Sequence, residues 1–380
     1  MTEPSYPASR LIAAPLEAHF ARQVAAASQF GREEVAPAPD AEAIERIIDA
    51  AFWASLRREE GYSPKISLAF FPPEQALKSL KFEQQLPLTP EALSRLAPAV
   101  ERPGIHLGVW RSGGELSVWG TSLTIPRACF VLEVIQPGLL VVKYRRGQET
   151  GKYVNVAVLE GDQIKVLDEH GTSLTDCPAL VTSLLGFGAL GLAERDSVNV
   201  LVQLAASMRA HGRGGSLLVV PQGPVAWRSS IIWPTAYSVV PAYIELAELV
   251  RQDLSARSER LWQEALLDAV EAVAGLTAVD GATVISEQYD LLAFGAKIRR
   301  RDAGVRVEQV VVTEPIVGGI ASVVSPLQLG GTRHLSAAQF VQDQQDAIAL
   351  VASQDGRFTV FAWSPCEEMV HAHRVETLLL

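Results

Sequence analysis

Two short motifs near the C-terminus hold residue types that could do chemistry: Asp280-Gly281-Ala282 and, about fifty residues further on, Gly331-Thr332-Arg333-His334. The first offers a carboxylate, a hard oxygen ligand suited to a divalent cation. The second puts glycine ahead of a helix. Glycine lets backbone amides approach a ligand closely, and a helix start directs unpaired N–H groups and a positive dipole at whatever sits there. Arg333 adds a planar donor fork that matches phosphate oxygens. Together these are the parts needed to hold a nucleotide. Each also has a plainer reading: Asp-Gly is a common turn pair, and Gly-Thr-Arg reads equally as a tight turn with a helix cap and a solvated arginine.

The elements that must position these motifs can be read from periodicity. From about residue 195 the pattern alternates helix and strand. Val198, Leu201, Val202, Ala205 and Met208 form a helical stripe closed by Gly212, and Gly214-Gly215 leads into Ser216–Val220, a continuous apolar run typical of a strand buried on both faces. A helix is expected over about 258–274, with Leu261, Leu266, Ala269, Val270 and Val273 inward. Strands are expected at Thr283–Ile285, Leu291–Lys297, Val305–Val312, Ala347–Ala352 and Phe358–Ala362, and a helix at Ser336–Gln344.

Upstream, the first thirty residues are Ala-rich and helical in pattern, and Glu33–Pro39 reads as a linker. Asp40 is a candidate N-cap for a helix carrying Ile44, Ile47, Ile48, Ala51, Phe52 and Leu56, with Gly61 as its left-handed stop. Between about 65 and 170, Gly113-Gly114, Pro137-Gly138 and Gly161-Asp162 each separate two strand-like runs, a series of hairpin signals. The expected fold class is therefore α/β (α+β): a C-terminal mixed-sheet domain with helices on both faces, preceded by a β-rich α+β domain. The expected divisions are an N-terminal helix and linker at 1–40, the β-rich domain at 41–190, the nucleotide-handling domain at 195–365 and a tail at 366–380.

Bulk properties bound the function. A chain of 380 residues suits two domains better than one core. No apolar run approaches the roughly 18 residues of a membrane helix, and Met1-Thr2-Glu3-Pro4 does not open a signal peptide, so the expected location is cytoplasmic with no membrane partner. A net charge of −10 repels DNA on average, while one small basic pocket for a mononucleotide remains compatible with it. Cys129, Cys177 and Cys366 are too scattered for a disulfide framework or a thiolate zinc site.

In order, the run Gly215–Val220, Asp280–Ile285, Gly331–His334, Gln345–Ser353 and Gly356–Val360 resembles the diadenylate cyclase (DAC) domain, which joins two ATP into cyclic di-AMP. The likeness covers about 195–365. It implies that Asp280, with Gly281 and Ala282, matches the family's DGA motif, in which the aspartate holds a metal and helps activate the attacking hydroxyl. It implies that Gly331, Thr332, Arg333 and His334 match the first four residues of a GTRHR motif that grips the triphosphate, and that Asp355 falls at an acidic metal ligand, the ion being Mg or Mn brought with the nucleotide. It also implies a homodimer, since each such domain carries half a site. The chain departs from the pattern at Leu335, where the family has a second arginine, at Gln342-Asp343-Gln344, in a helical insertion over about 243–275, and in an N-terminal β unit that has no counterpart in the common cyclases. These departures resemble the DACNV class, regarded as sensors of nucleotide signals. Three functions follow: a receptor for a nucleotide or cyclic dinucleotide, an active metal-dependent cyclase, or a degenerate scaffold.

Other candidates are weaker. His371 and His373 would share a face of a strand, but no third metal ligand is evident and solvated tail histidines are expected. Arg299-Arg300-Arg301 reads as a wet loop, with an electrostatic guide for a nucleotide as the minority reading. Lys143, Arg145, Arg146 and Lys152 read either as solvated strand ends or as an anion guide. Trp110 and Trp119, flanking Gly113-Gly114, read as core or cross-strand packing, with base stacking as the alternative that nothing else in the sequence supports. No local pattern ties a serine to a histidine base.

Overall fold

The Asp40 side chain accepts a hydrogen bond from the Ala43 amide at 2.8 Å, which starts a helix over Ala41–Ser55 whose Ile44, Ile47, Ile48 and Ala51 are buried. The cap and the apolar spacing work together: the cap satisfies an amide that the first turn leaves free, and the stripe buries one face. The helix stops at Ser55, so Gly61, although left-handed at φ +88°, lies beyond it in the following loop. The computed structural model describes residues 4–29, 34–58, 61–145, 153–168, 200–223, 225–233, 237–252 and 260–380. The chain divides into two compact units, Met1–Leu167 with Leu380, and Asp168–Leu379. Arg146, Lys152, Cys177 and Val198 lie outside the described residues.

In the first unit the described elements are α1 (Pro7–Gln29), α2 (Ala41–Ser55), β1 (Ile66–Phe70), β2 (Ser79–Pro87), α3 (Pro90–Leu96), β3 (His106–Ser112), β4 (Glu115–Ser122), β5 (Phe130–Gln136), β6 (Leu139–Arg145), β7 (Tyr153–Glu160) and β8 (Gln163–Val166). The strands form one sheet in the order β2-β4-β3-β1-β5-β6-β7-β8, with β1 parallel to β3 and the other pairs antiparallel. The three glycine turns read from the sequence make the hairpins β3–β4, β5–β6 and β7–β8. Helices α1 and α2 cover one face, burying Leu16, Phe20, Ile44 and Ile47 against Leu68, Phe130 and Leu140. A smaller apolar cluster of Phe71, Trp119, Ile125, Cys129 and Val131 is separate from it. Trp119 packs across onto Gly108, where a Cβ would lie 2.0 Å from the indole ring, and its Nε1 donates to the Phe71 carbonyl at 2.9 Å.

The second unit has α4 (Val200–Ala210), β9 (Gly215–Val220), β10 (Tyr237–Tyr243), α5 (Glu245–Arg251), α6 (Arg260–Leu276), β11 (Ala282–Ser286), β12 (Leu291–Ala296), β13 (Val310–Thr313), β14 (Ser322–Val324), α7 (Pro326–Leu329), α8 (Thr332–Asp343), β15 (Ile348–Ala352), β16 (Phe358–Ser364) and β17 (Met369–Arg374). Its mixed sheet runs β10-β12-β11-β9-β15-β16-β17-β13-β14. Two apolar clusters occupy its two faces: α4, α5 and α6 bury Met208, Leu246, Leu266 and Val270 with Leu217, Val219 and Val360, while α8 buries Ala337, Phe340 and Val341 with Leu218, Val220 and Phe361. Every residue of β9 is buried, as its uninterrupted apolar run requires. Both units are mixtures of helix and sheet, and the fold class is α+β.

Several local expectations change. Leu261 is 76% exposed and Trp262 takes the inward position. Strand β13 begins only at Val310; the Val307 amide donates to Gln339 Oε1 and Gln339 Nε2 donates to the Val305 carbonyl, so a side chain replaces the sheet partner there. The segment read as a tail contains β17, and His371 and His373 are buried in it rather than solvated. His373 Nδ1 pairs with Thr313 Oγ1 at 2.8 Å and His371 Nε2 with Glu367 Oε2 at 3.1 Å.

Candidate functional site

The sheet register brings the motifs to one end of the second unit. In β11 and β9, which are parallel, Ala282 pairs with Ser216. In β15, which is antiparallel to β9, Val351 pairs with Ser216 and Ala352 with Gly215. Asp280, Gly214 and Ser353 therefore leave the sheet at the same end, side by side. Adjacent strands lie about 4.8 Å apart, so the backbone at Asp280 and that at Ser353 flank Gly214 at a separation of about 10 Å.

Gly281 has φ +120°. A Cβ there would lie 2.4 Å from the carbonyl carbon of Gly295, so only glycine permits this approach and the turn that presents Asp280. The Asp280 side chain is 92% exposed and its Oδ2 lies 2.5 Å from Lys297 Nζ. The hydrogen bond and charge of Lys297, with a smaller contribution from Arg333, hold its carboxyl below the ordinary aspartate value. Ala282 is buried at the start of β11. Sequence reading passes over Lys297; its signal was its position one residue past β12, the strand that pairs with β11.

Gly331 caps α8 without a side-chain acceptor; the His334 amide donates back to the Gly331 carbonyl at 3.1 Å, and the Thr332 and Arg333 amides are left with no intrahelical partner. Gly331 and Thr332 are exposed and Arg333 is half-buried. Arg333 extends over the start of β9: a Cβ on Gly214 would lie 2.9 Å from its Nη1, and 3.3 Å from both the Ala352 carbonyl oxygen and Gln354 Cγ. Among the described residues no hydrogen bond or ion pair holds this guanidinium. On the far flank, Asp355 sits in a turn closed by the Ser353 amide donating to the Arg357 carbonyl at 2.9 Å. Partial burial pushes its carboxyl up, and hydrogen bonds from Ser353 and the Arg357 amide together with the Arg357 charge outweigh this, so that it lies below the ordinary value. Arg357 Nε stands 3.4 Å from its Oδ2.

His334 turns inward. It is 2% exposed, and a Cβ on Gly330 would lie 2.3 Å from its Nδ1. Its Nε2 is buried with no hydrogen-bond partner. Burial lowers its pKa, the Asp355 charge opposing and the Arg357 and Arg333 charges reinforcing the shift, so the ring is neutral at pH 7. Leu335 is packed against the apolar cluster under α8, so the position of the missing second arginine is filled by core. The arrangement is an uncommitted arginine fork between two carboxylates that each hold a cation. Among the described residues no group of three or more His, Cys, Asp and Glu side chains gathers as a metal cage.

A second polar cluster, in the first unit, spans five strands. Ser67 Oγ lies 2.7 Å from His106 Nδ1, His106 Nε2 lies 2.9 Å from the Tyr153 hydroxyl, and Lys143 Nζ reaches Glu133 Oε2 at 2.5 Å while standing over the Tyr153 ring. Lys143 is thus engaged, not a solvated strand end, and Arg145 donates to the Ile125 carbonyl. Sequence spacing could not reveal this serine–histidine pair, because its members are 39 residues apart and only the strand order joins them.

The family described as "Probable sensor domain DACNV" matches residues 33–123, which lie in the first unit and make up less than half of the chain. The resemblance to the DACNV class thus has a match in the first unit, and the cyclase-like stretch at about 195–365 lies outside the matched residues. No curated protein matches the chain. Among solved structures, a hypothetical membrane spanning protein from Bacillus cereus is similar at 12% identity, covering 50% of this chain and 69% of that one, with a TM-score of 0.27; so low a score carries no argument. Among the described residues no helix is long and apolar enough to cross a membrane.

Proposed function

We propose that this chain is a cytoplasmic nucleotide sensor whose second unit holds a nucleotide or cyclic dinucleotide by its phosphates. The observation that carries the reading is Arg333: a half-buried guanidinium with no partner among the described residues, at the start of a helix whose Thr332 and Arg333 amides have no intrahelical partner, beside a glycine at which a Cβ would crowd it. A phosphate would accept from both the fork and the helix N-terminus. The buried, unpartnered His334 Nε2 beneath the same turn adds a polar atom of the kind that a ligand or water satisfies. The sensor role rests on the family match to the first unit.

Titration of the full chain with mono- and cyclic nucleotides, read by calorimetry, tests the reading. Arg333→Ala should weaken binding about tenfold or more, the loss expected for one charge-assisted hydrogen-bonding group. No heat with any nucleotide, or equal affinity in the variant, removes the reading.

A second reading, a diadenylate cyclase acting as a dimer, is favoured by the exposed, ionised Asp280. A carboxylate of this kind fits Mg²⁺ or Mn²⁺, which take one or two protein carboxylates and complete their shell with phosphate oxygens and water; Asp280 would hold the ion, with Asp355 on the other flank. When bound, the ion neutralises phosphate charge and lowers the proton affinity of a coordinated hydroxyl. Asp280 must first exchange Lys297, which is then free to face phosphate. Incubation with ATP and Mn²⁺ followed by chromatography decides between the readings. Cyclic di-AMP that disappears in Asp280→Asn makes the chain an enzyme; no product leaves the receptor.

A further inference from the structure

The ligand contacts argued above are all polar and would serve any triphosphate. Beside them lies an aromatic surface that they do not use. Tyr237, at the start of β10, pairs across the sheet with Phe294 of β12. The two rings stack with centroids 4.8 Å apart and planes 2° from parallel, yet Tyr237 remains 49% exposed. An aromatic at a sheet edge loses most of its apolar surface when it has a core to enter; this one stays half in solvent while being held flat.

Its position is fixed to the Asp280 turn through Gly295. That glycine has φ +61°, and a Cβ on it would lie 2.7 Å from Tyr237 Cδ2 and 3.6 Å from the Asp280 carbonyl oxygen. Gly281 in turn lies against the Gly295 carbonyl, whose carbon is 2.4 Å from where a Cβ on Gly281 would stand. Two glycines that admit no side chain therefore clamp the tyrosine ring, the β12 end and the Asp280 main chain into one piece. Along the sheet end the order is Tyr237 and Phe294 on β10 and β12, Asp280 before β11, then Gly214 with Arg333 over β9. From β10, which carries Tyr237, to β9 is three strand spacings, about 14 Å, the scale of a nucleoside triphosphate. The sequence of chemistries is π-surface, carboxylate with lysine, guanidinium, which is the order base, sugar, phosphate.

We propose that the exposed Tyr237 ring, held against Phe294, is the stacking platform for the ligand's base, so that the site takes nucleotides in preference to inorganic polyphosphate. This rests on the phosphate reading of Arg333. Stacking on an aromatic tolerates every base, since each has a π-face; the platform therefore selects nucleoside over bare phosphate, and any choice among bases comes from other contacts.

Calorimetry on the full chain with ATP and with inorganic tripolyphosphate, in wild type, Arg333→Ala, Tyr237→Ala, Tyr237→Leu and Tyr237→Phe, separates the two claims. Wild type should bind ATP more tightly than tripolyphosphate. Tyr237→Ala and Tyr237→Leu should weaken ATP about tenfold and leave tripolyphosphate unchanged, with Tyr237→Phe close to wild type. Tyr237→Leu keeps apolar bulk over Phe294 and removes only the π-face, and the unchanged tripolyphosphate affinity certifies the fold of each variant. Wild type that binds neither ligand sinks the phosphate reading, and the platform with it. ATP affinity unmoved in Tyr237→Leu, or both ligands weakened equally, overturns the platform while Arg333→Ala still reports on the phosphate reading.

Discussion

Gly330 shows how a single absent side chain can set the site. Its backbone is extended, with φ 172°, a conformation that any residue adopts. What excludes a larger residue is the His334 ring, 2.3 Å from where a Cβ would stand. Because His334 is buried and packed edge-on to Phe361, with centroids 6.1 Å apart, it has little room to move. Gly330→Ala should therefore lower stability by about 1–3 kcal/mol, the usual cost of overpacking. If the ring is the cause, the same substitution in a His334→Ala background should cost far less, and the double-mutant cycle should show a coupling of comparable size. Equal costs in the two backgrounds, measured by chemical unfolding, would place the strain elsewhere. The experiment also bears on what His334 does: neutral and turned inward, it is better placed to lock the glycine turn beneath Arg333 than to present charge to a phosphate.

At the scale of elements, what was legible in the sequence and what was not divides along physical lines. The hairpins of the first unit announced themselves because Gly113-Gly114, Pro137-Gly138 and Gly161-Asp162 supply turn conformations that few other residues adopt. Strand β9 was legible because burial on both faces leaves an unbroken apolar run. Strand β17 was not, because Met-Val-His-Ala-His-Arg puts histidines where an apolar residue is expected. Thr313 on β13 pairs with His373 Nδ1 across the sheet, and no local pattern encodes a partner that distant. The segment Val305–Gln309 failed in the opposite sense. Val305 and Val307 alternate with polar neighbours as a strand would, but Gln339 on α8 takes the hydrogen bonds that a neighbouring strand would have made. The candidate site divides in the same way. Asp280, Gly331 and Arg333 could be named from their motifs, and their common sheet end follows from register. Lys297, the Gly295 contact and the Tyr237–Phe294 stack depend on β10 and β12 lying next to β11, and a linear sequence does not state strand order.

For the molecule as a whole, histidine burial sets a shared sensitivity to acid, since both units hide imidazoles. In the first unit burial pushes His106 down to about 4, the Glu133 charge opposing and Lys143 and Arg145 reinforcing the shift. In the second, burial takes His373 down to about 3 with help from the neighbouring His371. An unfolded histidine titrates near 6.5. Between that value and the folded one the unfolded chain binds the extra proton, so stability rises with pH across the window and is lost as pH falls through it. For His106 the loss begins below about pH 6.5 and amounts to roughly 2 kcal/mol by pH 5. It comes before the carboxylates contribute, because Asp280 and Asp355 lie below their ordinary values and give up stability only at lower pH. Urea unfolding followed from pH 7 to pH 4.5 should show each unit weakening steadily. His106→Gln should reduce the slope for the first unit alone, where half-buried His19, also pushed down to about 4, keeps part of it, and His373→Gln should reduce that for the second, where His334 keeps part of it, whatever either substitution does to stability at neutral pH. A stability that stays level over this range would mean that the buried imidazoles titrate in the folded protein as they do in the unfolded chain.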